Sequence, residues 1–524
     1  MSQTLQPAPG AHNWRRIVPV FVLAATLYSL GVTSHWRIGS DSGRYLVMAR
    51  QLAEGKGYLF AGKPQWGIPP GVPGYYALVF KLTGFKPSVD GLTEGFTSAN
   101  VAGVVWGYAG LIMAYLFVSE ISDPRRALIV TVFVATSRFF YMENLATLSD
   151  VPFSAASWGA LWLLARAEKR GGAVQYVLLS LMLAMSALLR LAGAALIIAI
   201  GLYCLGRLVF GKRARSAVFA LVAAIPAAAV SVFLGLATLS DRRTVAFTYY
   251  NQLFEGHTAG QLMRSALRHV MTLPGYVFES IVGLESLAGA SLILCAVIAA
   301  GLIAFWRSGH RFAPLYFLVY LIFVGAGVGV IPRLLMPLYP ILYLFLIEGV
   351  TLAGDGARRL FEQRGWRVVS RRGAIAGGFA FFVILINLFY VGKTVSTNFA
   401  HDFYAAHAHG KWVDYLPLAR AVAEEPGKGR LMLSEFAVVS ALSGAEAVTT
   451  PYWLANADDP DDLLARYVRE NGITGAVYEP TWKNSRLLAR FLEEGPIAWK
   501  EKGRFGKLIF YTPADAGVKQ DPGG

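Results

Sequence analysis

Eleven apolar runs govern this chain, at 17–34, 99–119, 127–142, 151–167, 174–190, 191–209, 216–238, 287–306, 312–331, 334–352 and 374–392. An apolar helix of about 20 residues crosses the hydrocarbon core of a bilayer, where every backbone polar group must be satisfied internally. Runs of this length and number predict a polytopic α-helical membrane protein with about eleven transmembrane helices. The weakest runs, 127–142 and 151–167, are short and flank a polar turn. Charged residues make up only 15% of the chain. Soluble domains carry about a quarter, so the deficit calls for a membrane. The first run follows Arg15 and Arg16, as in a signal peptide. It has no clear small-residue cleavage site and further runs follow, so it reads as an uncleaved span. Cys204 and Cys295 each lie inside an apolar run, which excludes a disulfide framework or a CxxC metal site.

The net charge of +15 does not point to nucleic acid, because the basic residues punctuate the runs instead of forming one stripe. One set of loops holds Arg15 and Arg16; Arg125 and Arg126; Arg166, Lys169 and Arg170; Arg207, Lys212, Arg213 and Arg215; Arg307 and Arg311; and six arginines between Arg358 and Arg372. These are nineteen basic residues, whereas the opposite turns at 143–150, 190 and 332–333 hold only Arg190 and Arg333. The positive-inside rule then places the N-terminus in the cytoplasm and everything after residue 393 outside. The Arg358–Arg372 loop is a topology determinant near anionic lipid.

Two long stretches, 35–97 and 239–286, interrupt the apolar rhythm on the outer side. In the first, Asp41–Glu54 places Tyr45, Met48, Ala49 and Leu52 on one face, as suits a helix lying in the interface. A second helix is expected over Tyr75–Phe85, after Pro69, Pro70 and Pro73. The membrane domain therefore covers 15–392, after a disordered cytoplasmic segment at 1–14. Residues 393–524 read as a small α/β domain with a parallel sheet. Its expected strands are Arg430–Leu433, Ala447–Thr450 and Thr474–Tyr478, with helices Ala437–Ser443, Asp461–Glu470 and Ser485–Glu494, and a hairpin over Ala498–Tyr511.

Ionisable groups at membrane depth are functional candidates by default. Asp41 opens the first outer loop; Glu143, Asn144 and Asp150 occupy the next outer turn; Arg190 and Arg333 stand in two others. Capping explains Asp150 before Val151-Pro152 equally well, and Arg190 alone is compatible with interface anchoring. Together on one side, the groups fit a shared polar cavity. Arginine matches phosphate oxygens in a bidentate way, and a carboxylate accepts a proton from an attacking hydroxyl. That combination suits transfer of a group from a lipid phosphate to an acceptor outside the cytoplasm. The reading requires no cofactor; a divalent metal is compatible with the acids and histidines of that face, although no tight spacing marks a site. Tyr249, Tyr250, Asn251 and His257 are weaker acceptor or lipid contacts. His35 and Trp36 fit interfacial anchors, and His401, His407 and His409 fit a solvated linker.

These residues resemble the GT-C superfamily of membrane glycosyltransferases, especially bacterial relatives of protein O-mannosyltransferases and aminoarabinose-lipid transferases. The matching pieces are Asp41-Ser42-Gly43-Arg44-Tyr45, then Ala49 to Tyr58, then Pro69-Pro70-Gly71-Val72-Pro73-Gly74. Leu148-Ser149-Asp150-Val151-Pro152-Phe153, Leu188-Leu189-Arg190 and Pro332-Arg333-Leu334-Leu335-Met336-Pro337-Leu338-Tyr339-Pro340 follow in order. The resemblance covers 15 to about 392 and implies a catalytic centre at Asp41, with Asp150 or Glu143 as second acid. It implies that Arg190 and Arg333 hold the phosphate of a polyprenyl-phosphate sugar, with Arg44, Tyr45 and Asn144 on the substrate side. Membrane lipid and an acceptor glycan, lipid or protein complete the implied partners, at a bacterial inner membrane with a periplasmic tail. Protein O-mannosyltransferases carry an Asp-Glu pair and a His-Pro-Pro element in the first loop. Here Ser42 follows Asp41, and Gln65-Trp66-Gly67-Ile68 precedes Pro69, which leaves acceptor identity open. The rival readings are a transporter or flippase, disfavoured by the lack of repeats and midplane charges, and an O-antigen polymerase or ligase.

Overall fold

The computed structural model describes residues 14–39, 41–60, 63–87, 95–210, 214–240, 259–285, 287–326, 332–363, 374–410, 412–424, 431–433, 438–443, 445–448, 459–470, 472–480 and 485–514. Each of the eleven apolar runs is mainly helical over its described residues. Among the described residues, six are long and apolar enough to cross a membrane: Thr97–Ile121, Gly193–Phe210, Arg215–Ala237, Ala288–Arg307, Pro332–Leu360 and Gly377–Phe399. Two further helices, Ala173–Leu189 and Phe312–Gly325, are apolar but shorter. Asp150–Arg170 lies at the centre, with fifteen of its 21 residues buried, so it tolerates Ser154 and Ser157 where a lipid-facing helix would not. Helices 288–307 and 339–363 meet backbone to backbone. A Cβ on Gly301 would lie 1.9 Å from the Phe345 carbonyl oxygen, and one on Gly349 equally close to that of Val297.

The run at 127–142 is not a single straight helix. It breaks into Pro124–Thr136 and Arg138–Leu145, bent by 57°. The break is supported by Asn387 of helix Ala374–Ser396. Its Oδ1 accepts from the Arg138 amide at 2.9 Å, and its Nδ2 donates to the Ile281 and Val383 carbonyls at 3.0 Å. The Arg138 guanidinium donates to the Gly283 carbonyl at 3.0 Å and lies 4.3 Å from the Tyr390 ring centre. A neighbouring side chain thus replaces the backbone bonds that the kink removes.

In the first long loop the helices are Ser42–Ala53 and Gly71–Thr83. The second starts earlier than the sequence pattern suggests, because Pro73 sits in its first turn, where no backbone donor is lost. In the second outer loop a helix spans Ala259–Val282, while Tyr249, Tyr250, Asn251 and His257 lie outside the described residues.

The tail holds a five-stranded sheet in the order Glu446–Val448, Leu431–Leu433, Ile473–Tyr478, Leu508–Pro513, Trp499–Phe505. The first three strands are parallel, and Leu508–Pro513 runs antiparallel to both of its neighbours, so the sheet is mixed through the hairpin expected at 498–511. The cause is the tight turn at Gly506, with φ of 58°, which folds the chain straight back. Buried side chains of the tail fall into two groups. Phe403, Trp412, Leu418, Val438, Leu442, Val477 and Phe510 share one continuous core with the first-loop helices and the membrane bundle. Leu464, Val468, Ile473, Leu488 and Phe491 form a separate small core.

Candidate active site

Each polar group of the candidate site is delivered by a turn whose geometry its own sequence explains. Asp41 precedes helix 42–53 but makes no capping hydrogen bond, so its carboxylate is turned elsewhere. Asp150 lies in the first turn of its helix, where the positive end of the helix dipole favours a carboxylate. Arg190 follows Ala173–Leu189 in extended conformation, at the end that favours a cation. Arg333 rides on a 3-10 turn over Pro332–Leu338, since Pro332 and Pro337 oppose a regular α-helix. The carbonyls this turn leaves open are met by buried side chains. Ser280 donates to Pro332 at 3.2 Å, Tyr320 to Leu334 at 2.9 Å and Trp158 to Pro337 at 2.8 Å.

Two acid–arginine pairs result. Arg333 Nη2 stands 3.3 Å from Asp41 Oδ2, across 292 residues of chain. Arg190 Nη1 donates to Asp150 Oδ1. The same nitrogen lies 3.4 Å from Ser149 Oγ, which accepts from the Tyr45 hydroxyl at 3.1 Å. The pairs differ in access. The Asp41 side chain is 45% exposed, whereas that of Asp150 is 3% exposed; both arginines are 22% exposed. Glu143 is half-buried, within electrostatic reach of Asp150, Arg333, Arg190 and Asp41. Its Oε2 has no hydrogen-bond partner among the described residues. Tyr45 stays a neutral donor: burial and the charge of Asp41 push its hydroxyl up to about 12.

Thus Asp41, Glu143, Asp150, Arg190, Arg333 and Tyr45 gather in one place. Arg44 is half-buried, with no polar side-chain contact to the pairs among the described residues. Asn144 is buried against helix Thr97–Ile121, where Gly107 leaves room for it: a Cβ there would lie 2.3 Å from Asn144 Oδ1. Ser149, joining Tyr45 to Arg190, was not anticipated; its only sequence signal is its place beside Asp150. No three of His, Cys, Asp and Glu among the described residues are grouped to hold a metal ion.

The acid–arginine pairs thus gather beside helix Ser42–Ala53 of the first loop. The chain has the fold of the GT-C membrane glycosyltransferases, as its motifs imply. The family model described as dolichyl-phosphate-mannose-protein mannosyltransferase matches residues 69–236. Among solved structures, ArnT from Cupriavidus metallidurans bound to undecaprenyl phosphate is similar, with a TM-score of 0.59 at 12% identity, over 97% of this chain and 99% of that one. The Archaeoglobus fulgidus oligosaccharyltransferase in its apo form gives 0.55 at 13% identity, over 97% and 76%. The same archaeal enzyme, AglB, with an inhibitory peptide and a dolichol-phosphate gives 0.54 at 11% identity, over 97% and 76%. No curated protein sequence matches the chain.

Proposed function

We propose that this protein is a glycosyltransferase that moves a sugar from a polyprenyl-phosphate donor to an acceptor hydroxyl or amine on the outer face of a bacterial inner membrane. The observation that carries this reading is the pair of acid–arginine contacts, one open and one buried, beside Glu143, whose Oε2 is buried without a partner among the described residues. Similar folds hold undecaprenyl phosphate or a dolichol-phosphate, the chemistry two convergent arginines favour. The basic-residue asymmetry supports about eleven membrane passages, a cytoplasmic N-terminus and a periplasmic α/β domain over 393–524.

In this reading the acceptor attacks the anomeric carbon, the bond to the phosphate oxygen breaks, and the phosphate leaves with the electron pair. Arg190 and Arg333 stabilise the charge that grows on it. Asp41, the accessible acid, takes the acceptor's proton. Asp150 is too enclosed to meet an acceptor directly and instead fixes Arg190, while Glu143 tunes the field of both pairs. Tyr45 and Ser149 hold the Arg190 side of the pocket.

Membranes supplied with labelled polyprenyl-phosphate sugars test this. Asp41→Asn lowers turnover by roughly 100-fold or more, within the range for losing a general base, with the protein still inserted and folded. Full transfer by that variant refutes the assignment. Glycan analysis of a deletion strain then names the sugar and acceptor class.

A further inference from the structure

A buried arginine four residues before Asp41 has no part in the site described so far. Arg37 is 3% exposed, and no carboxylate among the described residues pairs with it. Its Nη2 instead donates to the Thr394 carbonyl and the Thr397 hydroxyl, each at 3.1 Å, and to Asn398 Oδ1. Thr394 lies in the last turn of helix Ala374–Ser396, where carbonyls lack helical partners and the dipole is negative. Arg37 therefore caps the last membrane helix. Its guanidinium carbon also lies 5.2 Å from the ring centre of Phe403, which stacks on His35 and His407.

The chain around Arg37 is held just as firmly. Trp36 is fully buried and stacks on Phe96, with ring centres 5.5 Å apart. Asn100 donates to the Thr33 and His35 carbonyls at 2.6 and 2.9 Å, and Arg37 forms a strand-like bridge to Ala146. A short relay then leads to Asp41. The buried Ser42 hydroxyl donates to the Gly39 carbonyl at 2.7 Å and accepts from the Gly39 amide at 2.9 Å. Ser42, the first residue of the helix after Asp41, is thus tied to Gly39, two residues from Arg37.

We propose that Arg37 is a positioning residue for Asp41, holding the stem of the first outer loop on the end of the last membrane helix. This rests on Asp41 being the base. A buried cation without a counter-ion is a poor stabilising device, since well-packed apolar residues serve as well or better. As a planar guanidinium whose Nη2 is set among three acceptors, with Nε left without one among the described residues, it defines geometry. Displacing a catalytic group by about 1 Å is enough to cost roughly 100-fold in rate.

The test uses the full chain in nanodiscs, with two variant sets. Arg37→Met removes the fork; Thr397→Val with Asn398→Leu removes acceptors from the other side and leaves Arg37 intact. Both sets raise hydrogen exchange selectively in the 38–45 amides and lower kcat by roughly 10- to 100-fold. Donor KM stays within about twofold, because the phosphate clamp is untouched. Arg37→Lys falls in between, keeping charge without the fork. Where Arg37→Met does not fold, the acceptor-side variant carries the test. Unchanged kcat per folded molecule, a loss confined to KM, or exchange rising across the whole bundle overturns the proposal. A wild-type protein that uses no polyprenyl-phosphate sugar instead refutes the function, and the exchange measurement still decides the clamp.

Discussion

Replacing Arg190 with Met takes the hydrogen-bonded partner from the Asp150 carboxylate, whose side chain is only 3% exposed, and leaves it beside Glu143 with only the more distant Arg333 in reach. Removing one partner of a buried ion pair costs about 3–5 kcal/mol. Asp150 lies in the first turn of its helix, which returns about 0.3–1 kcal/mol. The expected net loss is therefore about 2–5 kcal/mol. Asp150→Asn is milder, because Arg190 is 22% exposed and keeps Ser149 within 3.4 Å. Arg190→Met combined with Asp150→Asn removes both charges, so the double variant recovers most of the stability, with a coupling of about 1–3 kcal/mol. Denaturant or thermal unfolding of the four proteins in one detergent, followed by tryptophan fluorescence, gives the cycle. Donor affinity is measured alongside and does not recover in the double variant, since the phosphate contact is gone. Additivity within about 0.5 kcal/mol would mean that the two side chains do not act as a pair, and the assignment of Asp150 as the holder of Arg190 would fall.

Asp41→Asn, by contrast, changes stability by less than about 1 kcal/mol, because its pair is half exposed; a larger loss in the same unfolding assay contradicts an open site. His407 is held neutral, its pKa lowered to about 4 by burial and then by Arg37, with its ring stacked on Phe403 and near the Ile38 carbonyl. A folded-state value below the unfolded one means that stability is full above about pH 6.5 and falls as pH drops toward 4, by about 1.4 kcal/mol per pH unit at most. His407→Phe should flatten that slope, and an unchanged slope refutes the assignment. Gly301→Val forces apart two helices in backbone contact and costs about 1–3 kcal/mol or more, read as lost yield of folded protein; wild-type stability in that variant would sink the packing argument.

Much of the helical framework is legible in the sequence because lipid solvation imposes a long, simple apolar signal. The break at Ser137 is not, since it depends on Asn387, some 250 residues away and reading as an ordinary polar residue within an apolar run. The same holds for the site. Asp41, Asp150, Arg190 and Arg333 stand out as charges where charges are expensive, so their presence on one face is readable. Which acid meets which arginine is not, because it depends on turns stabilised by Tyr320, Trp158 and Ser280. Asn144 shows the limit in the other direction: its position in an outer turn marks it for the cavity, yet its side chain packs toward Gly107. In the tail the hairpin around Gly506 is legible, but the antiparallel pairing of Leu508–Pro513 with Ile473–Tyr478 is not, because it depends on contacts distant in sequence.

The hold of Arg37 on residues 394–398 also has a temporal side. The two halves of that contact are separated by 357 residues or more along the chain. Synthesis at roughly 5–20 residues per second means that the first loop waits roughly 20–70 s for its partners to emerge. The helices between them are made while Arg37 still lacks its acceptors, although Phe96, Asn100 and Ala146 already hold the stem around it. A prematurely terminated product keeps those early contacts and loses only the hold of residues 394–398 on Arg37.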